Sequence, residues 1–150
     1  AQQFADYAGS DLICYFAEAP SALVARQTEA WEPVLIRAEA ELGLAFVRAA
    51  GIRHQAQPES TLAGVKALAM EHNDFGLAGL AFGAPLFGSA ILTLALAKGW
   101  MSGEAAYALS RVDEAFQEEK WGIDEEAAER TARLALEAQM LGRWFEALRS

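Results

Sequence analysis

The sequence predicts a mainly α-helical, bundle-like domain with at most a short pair of strands, and three observations carry that expectation. Ala127, Thr131, Leu134, Ala138, Leu141, Phe145 and Leu148 keep a four-three spacing to the end of the chain, which lines up one face of a helix. Val24, Thr28, Trp31, Leu35, Ala38 and Leu42 keep the same spacing earlier on. Between them, no residue from Phe75 to Ala97 is charged, so this stretch belongs at the centre of a core. With 150 residues, of which 53% are hydrophobic, one domain spanning 1–150 is the expected organisation.

Taken in order, Tyr7-Ala8-Gly9-Ser10 reads as a turn and Asp11-Leu12-Ile13-Cys14-Tyr15-Phe16 as a short strand, with a helix start as the competing reading. Pro20-Ser21 suits a helix beginning. Because the apolar phase survives Pro33, the sequence predicts either one kinked helix or two that restart in register at Trp31-Glu32-Pro33. Gly43 should close it. Leu44-Ala45-Phe46-Val47-Arg48 is a second candidate strand, expected to pair with residues 11–16, and residues 51–58 read as a loop. A helix from Glu59-Ser60 carries Leu62, Val65, Leu68 and Ala69 to His72-Asn73, after which Asp74 is expected to cap the uncharged segment. That segment should form two short helices broken at Gly83-Ala84-Pro85 and stopped at Lys98-Gly99. Its 23 residues could span a bilayer. The repeated glycines, the absence of a flanking basic cluster and the missing aromatic belts favour buried core.

Ser102-Gly103 opens the stretch that distinguishes this chain, and Trp121-Gly122 ends it. Two stripes are superimposed there. Ala105, Leu109, Val112 and Phe116 form an apolar row, as a core requires. Tyr107, Ser110, Glu114, Gln117 and Trp121 form a second row that mixes a carboxylate, an amide and aromatics. Two readings of it stand side by side: a solvated flank, with Trp121 merely packing over the Gly122 corner, or a recognition surface with aromatic anchors. Asp124 should cap the last helix, with Glu125 and Glu126 in its first turn. A second row, Leu136, Met140 and Trp144, widens that helix's apolar side.

Charge and chemistry narrow the function classes. The net charge of −9 and pI near 4.7 argue against nucleic acid or an anionic membrane surface as partner. From Asp113 to Glu129 there are eight acids against one base, Lys120, a run that repels acidic partners and steers basic ones. A lone cysteine, Cys14, rules out an internal disulfide framework and reads as a small buried hydrophobe. His54 and His72 have no second ligand at metal spacing, no phosphate loop or nucleophile elbow occurs, and a Cys14–His54 pair is the sole hydrolase-like option. No enzyme, cofactor or metal site is expected. The first residues, Ala1-Gln2-Gln3-Phe4, have neither signal-peptide nor transit-peptide character and no initiating Met, so a processed or truncated piece is expected.

Arg111-Val112-Asp113-Glu114-Ala115-Phe116-Gln117, Lys120-Trp121-Gly122 and Glu125 together resemble the signature of the assembly chaperones for the alpha subunit of the ATP synthase catalytic head. Ser10 to Tyr15, Trp31-Glu32-Pro33, Gly51-Ile52 with His54, Gln57-Pro58 and Gly88-Ser89 follow in the order that bacterial relatives show. The sequence departs from the pattern at Phe16, Ala115 and Ala128. The resemblance implies a helical C-terminal domain of a larger α+β protein, with a smaller β-rich domain upstream that residues 1–150 do not include. It implies a monomeric, non-catalytic chaperone of the bacterial cytoplasm, or alternatively of the mitochondrial matrix, that binds the unassembled alpha subunit until the beta subunit replaces it. The client-binding residues expected from stripe and resemblance together are Tyr107, Asp113, Glu114, Gln117, Trp121 and Glu125. The competing readings are a helical scaffold domain with another client and a membrane-associated helical protein dependent on residues 75–97.

Overall fold

The computed structural model describes residues 1–51 and 53–150, so Ile52 of the expected 51–58 loop lies outside the described residues. Its helices are α1 (Gln2–Gly9), α2 (Ser21–Leu42), α3 (Glu59–Met70), α4 (Asp74–Phe87), α5 (Ala90–Ala97), α6 (Gly103–Ser110), α7 (Val112–Trp121) and α8 (Glu125–Arg149). Two two-residue strands, β1 (Tyr15–Phe16) and β2 (Ala49–Ala50), pair in parallel with Tyr15 opposite Ala49 and Phe16 opposite Ala50. The mainly α reading holds.

The core is centred on α5. Every residue from Ala90 to Ala97 is buried, as expected of a helix that is apolar all round. α1, α2, α4, α6 and α8 pack around it. Among the described residues no helix is long and apolar enough to cross a membrane.

The break in the uncharged segment is not at Gly83-Ala84-Pro85. α4 runs through all three residues to Phe87 and is closed by Gly88, whose φ of +64° suits glycine, and Ser89 caps α5 by accepting from the Leu92 N–H at 2.9 Å. Gly83 is there for close approach: a Cβ on it would lie 2.6 Å from Thr93 Cγ2 and 3.0 Å from Leu141 Cδ2. Pro85 sits in the last turn of α4, where losing one backbone donor costs a single hydrogen bond. The cap of α4 is Asn73, which accepts from the Gly76 N–H, and Asp74 is the first helical residue.

α2 is one helix across Pro33, closed by Gly43 in the left-handed region (φ +67°). Its buried stripe is Leu23, Gln27, Trp31, Leu35 and Ala38, so the first half is offset by one residue from the expected Val24 and Thr28. Gln27 causes the offset. Its Oε1 accepts from the Ala17 N–H at 2.8 Å and its Nε2 donates to Asp113 Oδ1 at 2.7 Å.

The first turn expected at Tyr7–Ser10 is instead the end of α1, which buries Phe4, Ala5 and Ala8. Residues 11–16 are only partly a strand: Asp11 caps a 3-10 turn at Leu12–Cys14 before β1 begins. Residues 44–48 do not form the partner strand, because side chains occupy their backbone. Glu39 accepts from Phe46 N–H, Gln57 both accepts from Val47 N–H and donates to Val47 C=O, and Thr61 donates to Ala45 C=O. Arg48 then closes the region by donating to Glu32 and Glu39, which holds the Glu39 carboxyl below its ordinary range.

Candidate functional site

The stretch from Gly103 to Trp121 is two helices, not one. At Arg111 the backbone leaves the helical region (φ −114°, ψ 19°), and its N–H bonds back three residues to Ala108 C=O. The interruption is held from outside. The buried Trp31 donates its indole N–H to Leu109 C=O at 2.8 Å, and the Arg111 guanidinium pairs with Glu118 at 2.7 Å while lying 5.9 Å from the Tyr107 ring.

On α6 this break exchanges the two expected stripes, and on α7 it keeps them. On α6 the buried residues are Gly103, Ala106, Tyr107 and Ser110, while Ala105 is exposed and Leu109 half-buried. On α7 only Phe116 is buried, covered by Arg26 at 5.3 Å and Lys120 at 4.7 Å, with Arg26 also paired to Glu119. The polar-aromatic row is therefore continuous in sequence but not in space. Tyr107 and Ser110 face the core, whereas Glu114, Gln117 and Trp121 face outward.

The six expected residues fall into two groups. Tyr107 is 7% exposed, and burial raises its phenol above the ordinary value. Asp113 is half-buried and bound to Gln27, 86 residues away in sequence. These two tie α6 and α7 to the body of the fold. Glu114, Gln117, Trp121 and Glu125 are exposed, and Trp121 is 82% so. Trp121 does not pack over the corner.

That corner is made by Gly122 at φ +79°, a conformation open to glycine and costly to other residues. It turns the chain so that Asp124 can cap α8 by accepting from the Ala127 N–H at 2.7 Å. Between α7 and the start of α8 lies an open groove whose lining includes Asp113, Glu114, Gln117, Ile123 and Asp124. Ile123 is exposed in this groove, and the exposed Trp121 ends α7 two residues before it, so apolar side chains accompany the acidic ones here. Such a surface can hold a partner segment that is basic and apolar at once.

The catalytic options are weak on geometry. Cys14 is fully buried, and burial pushes its thiol well above the ordinary range, so the thiolate that nucleophilic attack needs is disfavoured. His54 does not meet Cys14; its Nδ1 is 2.8 Å from the Tyr15 hydroxyl. Burial, and after it Lys98, holds His72 below its ordinary value. Among the described residues, no group of three His, Cys, Asp or Glu side chains could hold a metal ion.

Sequence reasoning passed over Asp11. It is fully buried, accepts from the Ile13 N–H at 3.3 Å and the Ile91 N–H at 3.0 Å, and so joins the first 3-10 turn to the start of α5. Burial pushes its carboxyl up to about 7, against the pull of those donors and of Ser89. Locally it is only the cap of a 3-10 turn, and the donor that ties it to α5 lies 80 residues downstream.

Residues 1–39 match the family model described as ATP12 chaperone protein, a span that contains the expected Ser10–Tyr15 and Trp31-Glu32-Pro33 motifs. Over nearly the whole chain the fold is similar to solved structures. Atp12 from Paracoccus denitrificans superposes with a TM-score of 0.92 at 37% identity, covering 96% of this chain and 62% of that one. An acid-to-lysine mutant of the P. denitrificans protein gives 0.92 at 36% identity over the same shares. A structure from Agrobacterium tumefaciens, solved as that of a candidate chaperone, gives 0.87 at 40% identity, covering 97% of this chain and 55% of that one. The chain thus spans about six tenths of the length of the P. denitrificans protein it matches.

Proposed function

The chain carries the fold of the ATP12 chaperone proteins along almost its whole length, and on that premise we propose that it serves ATP synthase assembly as a non-catalytic chaperone. Its client is the unassembled alpha subunit, which it holds until the beta subunit takes its place. Contact falls on Glu114, Gln117, Trp121 and Glu125, joined by Ile123. Tyr107 and Asp113 position that surface from beneath. The helical domain acts as a monomer in the bacterial cytoplasm, alongside the further β-rich domain of a longer protein.

One observation supports this reading above the others: a tryptophan 82% exposed ends α7, immediately before the Gly122–Asp124 corner that lines an acidic groove between α7 and the start of α8. Large amphipathic side chains on rigid elements supply most of the energy at interfaces, and local charge selects among clients. The α7 framework is tied to α2 by the Gln27–Asp113 bond and the Arg26–Glu119 pair, so the surface is held before the client arrives.

Light scattering of refolding alpha subunit, with this protein at equal molar ratio, tests the proposal. Scattering should fall for the alpha subunit and stay unchanged for an unrelated aggregating protein. A Glu114→Gln/Glu125→Gln double variant should protect less. Equal protection of both substrates, or of neither, overturns a client-specific role; full protection by the folded double variant removes the two acids from the site.

A further inference from the structure

A second surface lies on the other flank of α8. Phe75, Phe82, Met140 and Trp144 remain between 43% and 61% exposed, and they adjoin one another across the α4–α8 seam. Scattered single exposed apolar residues are ordinary; a contiguous set lining a groove is a binding feature. The groove is about 470 Å³ in volume, with Gly79 and Leu141 in its floor.

The groove is built, and Trp144 shows how. Its indole N–H donates to Phe75 C=O at 2.9 Å, and the Phe75 ring meets it edge-on at 6.2 Å. Gly79 makes this possible, since a Cβ there would come within 3.0 Å of Trp144 Cδ1 and 2.8 Å of the Phe145 ring. An exposed tryptophan whose polar atom is already satisfied and whose ring is already oriented loses little freedom when a partner covers it. Met140, one helical turn before it, is the adaptable wall.

Charge indicates the occupant. Glu137 is the one charged side chain among the described lining residues, and the whole chain carries −9. A second copy would bring another net charge of −9 towards this one, which opposes self-association, whereas a basic partner is attracted. A cleft between two helices suits a third helix laid into it.

We propose that this α4–α8 groove is a second client contact, taking a short amphipathic helix whose apolar row is flanked by a basic residue that pairs with Glu137. The proposal rests on the chaperone reading and assigns the client a helical segment of that chemistry. Contact at both ends of α8 would let the client be gripped at two points along one rigid element.

The probe is a fluorescently labelled peptide of about 14 residues, close to four helical turns, with leucines on one face and lysines beside them. A matched peptide carries glutamates in place of the lysines. The lysine peptide should bind about tenfold tighter than its acidic twin, a difference of about 1.4 kcal/mol. Met140→Glu, on an exposed helix position, should weaken the lysine peptide at least as much, and Glu137→Lys should erase the preference. Absence of binding, absence of charge preference, or equal binding by the folded Met140→Glu protein overturns the proposal. So does a dimer that Met140→Glu dissociates, because a second copy would then fill the groove. In the alpha-subunit assay, wild-type protection that Met140→Glu fully retains removes the groove from client contact while leaving the proposed function intact. If the wild type protects nothing, the proposed function fails and peptide binding alone decides the groove.

Discussion

Replacing Trp121 with alanine separates a contact residue from a structural one. The side chain is 82% exposed, so about one fifth of it touches the protein. A buried aromatic covers roughly 200 Å², so the contact amounts to about 40 Å² and about 1 kcal/mol at 25 cal/mol per Å². For a chain of this size that loss lowers Tm by about 2–4 °C. An interface anchor, in contrast, costs about 2 kcal/mol or more of binding when truncated, close to a thirtyfold loss of affinity. Thermal unfolding followed by circular dichroism supplies the first number, and titration against refolding alpha subunit supplies the second. The expected outcome is a small drop in Tm with a large drop in protection. Undiminished protection by a folded Trp121→Ala protein would refute the assignment. A Tm loss well beyond the predicted range would show that the contact carries structure after all.

Two further substitutions test the framework. Gly103→Ala places a Cβ 1.9 Å from Ala138 C=O oxygen, against backbone that cannot swing away, so α6 and α8 must separate. A loss of about 3 kcal/mol is expected by urea denaturation, whereas Gly43→Ala, with open space around it but a φ of +67°, should cost about 1 kcal/mol. Asp11 sets a pH dependence. Its carboxyl is pushed from the ordinary 3.8 up to about 7, so between those values the folded protein holds a proton that the unfolded chain has released. Stability is then fullest below about pH 4, falls as pH rises towards 7, and levels off above it, with a ceiling of about 4 kcal/mol at 1.36 kcal/mol per pH unit. Urea midpoints from pH 4.5 to 8 should show this decline, and Asp11→Asn should flatten it. Glu39, held low by Arg48, has the opposite slope but acts below pH 4.5, whereas His72, also held low, opposes Asp11 near pH 6.5. The difference between wild type and Asp11→Asn therefore isolates the Asp11 contribution.

Helices with local punctuation were legible in the sequence. Ser102, Asp124, Gly43 and Gly99 mark starts and stops that the structure keeps, because capping is settled within three or four residues. What was misread depended on distant partners. Gly83 looked like a breaker because glycine serves for breaking and for close approach alike, and only the positions of Thr93 and Leu141 distinguish the two. Residues 44–48 have strand composition, but Glu39, Gln57 and Thr61 supply the hydrogen bonds a neighbouring strand would have made. In the candidate site, the periodicity sets Glu114, Gln117 and Trp121 on one helical stripe and leaves its exposure open, and the structure exposes all three. Tyr107 belonged to the same periodic row, and the Arg111 interruption turned it inward. Asp113 met its partner 86 residues away, a pairing no local pattern encodes.

The two exposed tryptophans near the proposed client face differ in a way that bears on how such a protein grips and releases. Trp144 is anchored through Phe75 and Gly79, so its contact free energy is offset by little ordering. Trp121 stands free at a glycine corner, so a client that immobilises it gives back about 0.5–1.5 kcal/mol of the same contact. A client held at both places gains affinity from the rigid α8 between them, since the second contact forms within an existing complex. Releasing either contact therefore returns the complex to the weak regime without unfolding anything. On the proposed function, the less ordered contact, at Trp121, is the one expected to be displaced first by an incoming subunit. A holdase that must hand over its client needs that asymmetry: tight while both contacts stand, and quick to let go once one is taken.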